Sequence, residues 1–94
     1  MNLTDAARRH PVVVQSMFFR SDELGPPSAA EVEAWTDRLS GVVRDGGSLA
    51  AVQVYTVARE TMETGVHPLS ADALEVIARA ARKVLQDVPV EVYP

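Results

Sequence analysis

Arg20, Arg59 and His67 are the side chains in this sequence best suited to hold a small anion. A guanidinium forks onto a carboxylate or phosphate, and an imidazole takes up charge close to neutral pH. Arg59 reads either as a cation in such a pocket or as the solvated end of a strand. Glu60 and Glu63 are spaced to serve as a general acid and base, or simply as part of an acidic loop. Tyr55 offers a phenol, either as a catalytic acid or as a packed interior residue whose hydroxyl is hydrogen-bonded.

Other chemistries are excluded by what the chain lacks. It has no cysteine, so it forms no disulfide, thiolate nucleophile, zinc–thiolate site or cysteine-held iron–sulfur cluster of its own. His10 and His67 each precede a proline and are far apart in sequence, so no metal site is expected. The net charge of −4 argues against binding to a phosphate backbone, and no nucleic-acid partner is expected. There is no run of about 20 apolar residues and no basic segment at the start, so the reading is a cytoplasmic protein without a membrane partner.

The elements that must position these residues follow from periodicity. The chain of 94 residues is read as one domain, residues 1–94. Residues 49–59 form an apolar, β-branched run broken only by Gln53, Tyr55 and Thr56, as expected of a central strand covered on both faces. Residues 12–19 read as a similar strand and residues 90–93 as a short last one. Residues 20–27, ending in Gly25-Pro26-Pro27, and residues 60–69 read as loops.

Between the strands lie two long helices. The first opens on a Ser28…Glu31 capping box, carries a stripe of Val32, Trp35, Leu39, Val42 and Val43, and stops at Gly46-Gly47. The second is capped by Ser70, and its stripe is Leu74, Ile77, Ala78, Ala81, Val84 and Leu85. Residues 3–10 suggest a short N-terminal helix, either the tail of a longer one or a frayed turn. The order β-α-β-α-β predicts a parallel three-stranded α/β sheet. Two crossovers advancing in one direction put both helices on one face, giving a half-barrel; a reversal of winding would put one on each face.

Strand parity then separates two faces. Val12, Val14, Ser16 and Phe18 align with Val52, Val54 and Thr56 and with Val90 and Val92, and suit the helices. The other parity carries Gln15, Met17 and Phe19, then Gln53, Tyr55, Val57 and Arg59, then Glu91 and Tyr93. That mixed layer is the kind that fills a barrel interior, although a merely solvated face is the alternative. Its extent, about 17 Å by 10–14 Å, exceeds what scattered surface apolars explain.

In this arrangement Pro11-Val12-Val13-Val14-Gln15-Ser16-Met17-Phe18 is followed by Gly25-Pro26-Pro27-Ser28 before a helix. After these come Val52-Gln53-Val54-Tyr55-Thr56-Val57-Ala58-Arg59, Pro68-Leu69-Ser70 opening a helix, and Val90-Glu91-Val92-Tyr93. In order and spacing the chain resembles the C-terminal part of the partial (β/α) barrel of radical S-adenosylmethionine (radical SAM) enzymes, from His10 onward. The phrase from Gln53 to Arg59 is the most specific match.

The resemblance implies that the three strands correspond to the last three of a six-stranded partial barrel. It places the cofactor S-adenosylmethionine near Gln15, Ser16, Tyr55 and Arg59, and substrate near Arg20, Thr56, Glu60 and Tyr93. The chain departs from the family in lacking the three-cysteine motif that holds its iron–sulfur cluster.

Three functions therefore stand open. One is half of a radical-SAM-type protein, non-catalytic alone and completed by a cluster-bearing partner half. The second is an interaction module that forms a homo-oligomer, most simply a dimer, through the open sheet face. The third is a small anion- or nucleotide-binding domain using Arg20, Arg59 and His67.

Overall fold

A computed structural model describes residues 9–57 and 65–94. The expected N-terminal helix falls almost wholly outside the described residues, as do Arg59, Glu60 and Glu63. Among those described, five strands and two helices alternate: β1 (Val12–Met17), β2 (Phe19–Ser21), α1 (Ala29–Arg44), β3 (Leu49–Tyr55), β4 (Val66–Pro68), α2 (Ala71–Val84) and β5 (Val90–Tyr93). The first, third and fifth strands make a parallel sheet in the order β1-β3-β5. This is the α/β half-barrel arrangement that the periodicity predicts.

Both helices begin, and α1 also ends, where capping chemistry dictates. The Ser28 hydroxyl accepts from the Glu31 amide, and the Glu31 carboxylate accepts from the Ser28 amide, so two orphan donors are satisfied reciprocally. At the other end Gly46 has a φ of 93°. Its amide donates to the Val43 carbonyl, and the Gly47 amide donates to Val42. This is a Schellman closure, and the positive φ is why glycine stands there. Ser70 caps α2 by accepting from the Ala73 amide.

Both helices pack on one face of the sheet. Trp35, Leu39 and Val42 from α1 and Leu74, Ile77, Ala78 and Ala81 from α2 share a single core with Val52, Val54 and Val90. Trp35 anchors α1. Its indole N–H donates to Ser16 Oγ at 3.0 Å, and its ring meets Phe18 edge-on at 5.0 Å. The stripes need two corrections. Val43 and Val84 lie on the surface rather than in the core, while Thr36 is buried. Thr36 is accommodated because its hydroxyl donates to the Glu33 carbonyl one turn back, so no polar group is stranded.

The two segments read as loops each contribute a short strand. The strand expected over residues 12–19 ends at Met17, and Phe19–Ser21 pairs antiparallel with Val66–Pro68, setting Arg20 opposite His67. The break at Phe18 is set by the end of β3. The Phe18 amide donates to the Tyr55 carbonyl at 2.9 Å, while its own carbonyl accepts from Thr56 Oγ1 at 2.7 Å. Beyond β2, Ser21 and Gly25 exchange backbone bonds in a tight turn, where Gly25 adopts a φ of 75°. The central strand likewise closes at Tyr55, before Thr56 and Val57.

Candidate functional site

The register of the parallel sheet assembles two rows on the face away from the helices. Gln15 aligns with Gln53 and Glu91, and Met17 with Tyr55 and Tyr93. The first row is partly closed on itself, because Gln15 Nε2 donates to Gln53 Oε1 at 3.0 Å. The second row is an apolar strip of one thioether and two phenol rings at the C-terminal ends of the strands. Met17 and Tyr93 are each 46% exposed. No described helix or strand lies over either row.

The residues singled out by the sequence do not all meet here. Gln15, Tyr55 and Tyr93 share the open face. Ser16 points to the opposite side, where its hydroxyl receives the Trp35 indole. Thr56 is half-buried and committed to the backbone. It donates to Phe18 and accepts from the Leu69 amide at 2.9 Å, tying the end of β1 to the start of α2 across the end of β3. Ser16 and Thr56 therefore hold the fold in place behind the face. Arg20 sits on the β2–β4 ribbon beside His67, since directly opposed antiparallel residues project to the same side. Arg59 and Glu60 lie outside the described residues.

One participant escaped the sequence reading. Asp22 Oδ1 lies 2.7 Å from His67 Nε2, and the Asp22 amide donates to the Gly65 carbonyl. Asp22 and His67 are 45 residues apart and meet only because the ribbon forms, so no local spacing advertises them. The carboxylate occupies Nε2 of the imidazole; the Asp22 side chain is largely in solvent and that of His67 partly so. An anion held through Nε2 of His67 would have to displace Asp22.

Among the described residues no group of three or more acidic, histidine or cysteine side chains could hold a metal ion. No described helix is long and apolar enough to cross a membrane. The distinctive chemistry of the molecule is thus the open sheet face, an amide-and-carboxylate row beside an aromatic row. No family model, curated protein or solved structure matches the chain.

Proposed function

We propose that this chain supplies the closing strands of a radical-SAM-type (β/α) barrel, working in the cytoplasm against a half that bears the three-cysteine motif. The observation that carries this reading is the one-sided sheet. Three parallel strands advance in consecutive order with both helices on one face, leaving the Gln15–Gln53–Glu91 and Met17–Tyr55–Tyr93 rows bare on the other. In a closed or partial barrel such rows face the interior, where further strands and a ligand cover them. Gln15, Tyr55 and Tyr93 would then line the pocket for S-adenosylmethionine and substrate, with Arg20 at its rim.

The chain does not fit an iron–sulfur cluster by itself, because it has no thiolate to offer. Reductive chemistry belongs to the completed assembly. Where no cluster-bearing half is present, the exposed apolar strip favours a second copy on the same face, since two-fold pairing is the commonest way to bury such a surface.

The test begins with the coding sequence upstream, read for a three-cysteine segment, which is then co-expressed with this chain. The expected result is a one-to-one complex that shows charge-transfer absorption after anaerobic treatment with iron and sulfide, and no such absorption from this chain alone. Tyr55→Arg should prevent the complex from forming. A cluster-bearing half that migrates separately from the wild-type chain sinks the proposal, as does stoichiometric iron kept by this chain alone after desalting.

A further inference from the structure

The two edges of the parallel sheet are unequal. β5 spans four residues and lies between Pro89 and Pro94. The Val52 amide donates to the Pro89 carbonyl, so by alternation Val90 and Val92 turn their backbone groups outward. There the Arg82 guanidinium donates to the Val90 carbonyl at 2.7 Å, which blunts the edge. β1 has no such protection. It runs for six residues, Val12–Met17, with no proline and no charge. The Val12 amide donates to the Ser48 carbonyl, and the Phe18 amide just beyond the strand donates to Tyr55, so the even-numbered residues face β3. Val13, Gln15 and Met17 therefore turn their backbone N–H and C=O groups away from the sheet, and no described residue bonds them. Alongside this edge, Val14, Ser16, Trp35, Leu39 and Val42 line an open cleft of about 550 Å³ against α1.

We infer that β1 pairs antiparallel with β1 of a second copy of this chain, joining two three-stranded sheets edge to edge. A row of unpaired backbone donors and acceptors is satisfied by water or by another extended segment, which identifies the kind of occupant. A two-fold axis makes the pairing antiparallel. The register that fits a second copy is single. With Gln15 on the axis, Gln15 lies opposite the partner's Gln15, and Val13 lies opposite the partner's Met17. All of these are hydrogen-bonded pairs, so every outward N–H and C=O of both strands finds a mate. A slip of two residues leaves Val13 or Met17 unpaired, and a slip of one breaks the alternation. The side chains agree with that register. On the open face an apolar residue meets an apolar one at each end, and no charge meets a like charge. The Gln15 amide uses one N–H on Gln53, which leaves its second N–H and its Oε1 for the partner's Gln15. On the helix face the partner's Val14 lies opposite Ser16 and extends the floor of the cleft. The wall above carries Asp37, Arg38, Arg44 and Asp45, two charges of each sign, so it does not repel its own copy. The pairing stands independently of the barrel reading. It occupies the edge at which further barrel strands would join, so the two assemblies exclude one another.

The experiment is amide hydrogen exchange of the wild-type chain, read residue by residue by NMR. As the concentration rises from about 20 μM to about 1 mM, the Val13, Gln15 and Met17 amides should exchange more slowly. The Val92 amide, on the blunted edge, should exchange at one rate throughout. Sedimentation equilibrium of variants at the axis then tests the register. Gln15→Lys, at an exposed position, sets two ammonium groups opposite each other and should weaken association about fivefold. Gln15→Glu should do the same. An equimolar mixture of the two variants should associate to within about twofold of wild type, since opposite charges then meet on the axis. If a variant fails to melt cooperatively, the exchange measurement on the wild type decides the matter. A chain that stays monomeric up to about 1 mM overturns the proposal. So does association that leaves the three outward amides exchanging as they do when dilute, or that slows Val92 equally, as stacking on the open face would. A mixture that associates no more tightly than either variant alone overturns it too.

Discussion

On the helix side of the sheet, Val14, Val52 and Val90 stand in one register row, and Val52 is completely buried. One residue further along each strand, on the other side, Gln15, Gln53 and Glu91 stand in the next row. Gln15 and Glu91 there are exposed to water. The same three strands thus carry a finished face and an unfinished one. On the first, branched aliphatics meet two amphipathic helices, and among the described residues no buried side-chain polar atom is left unmatched, as Ser16 is matched by Trp35 and Thr36 by the Glu33 carbonyl. On the second, side chains of both kinds mix, and the bond between Gln15 and Gln53 is made in the open. The contrast teaches that the packing which stabilises the chain is gathered on one side of the sheet, which leaves the other side for the recognition proposed above. Substitutions on the helix side should unfold the chain, and those on the other should change only what it binds.

The largest effect should come from the centre of the finished face. Trp35→Ala removes a buried ring, its edge-on contact with Phe18 and the donor that satisfies Ser16, and should cost about 3–5 kcal/mol in urea unfolding. A loss under about 1 kcal/mol would mean that α1 does not seal this face. Next comes the latch where the two sides meet. Thr56→Val keeps the shape but strands the Phe18 carbonyl and the Leu69 amide, for an expected cost of about 1–3 kcal/mol. Hydrogen exchange should show the Leu69 amide losing protection. Unchanged protection there would show that Thr56 does not tie β1 to α2. The smallest effect belongs to the open face. Gln15→Ala should change the stability of the monomer by no more than about 0.5 kcal/mol, as surface changes do. A loss of about 2 kcal/mol in a chain shown to be monomeric would mean that this face is already covered, and the comparison would fail.

Much of this arrangement follows from local sequence, for reasons that can be named. Ser28 with Glu31, Ser70, and Gly46 with Gly47 mark helix ends through bonds made within a few residues, so their chemistry acts wherever the chain goes. The alternation in Val12–Met17 and Val90–Tyr93 assigns each side chain to a face, because the period of a strand is two. The order of strands and helical stripes predicts the parallel sheet, whereas the choice between a shared helix side and one helix on each face was made by the packing of both helices on one core.

What only the tertiary structure decided depends on partners distant in sequence. Phe19–Ser21 and Val66–Pro68 are three-residue strands, too short to show periodicity and one of them ending in proline, and each is a strand only because the other lies beside it. Asp22 meets His67 for the same reason. The break of the first strand at Phe18 needs Thr56, which is 38 residues away. Val84 continues the apolar stripe of α2 by spacing alone, yet its direction was settled by how the helix turns on the sheet, which placed it outside the core. Ser16 could face either way by residue type. Parity put it toward the helices, and the indole of Trp35, fixed by the packing of α1, donates to its hydroxyl there.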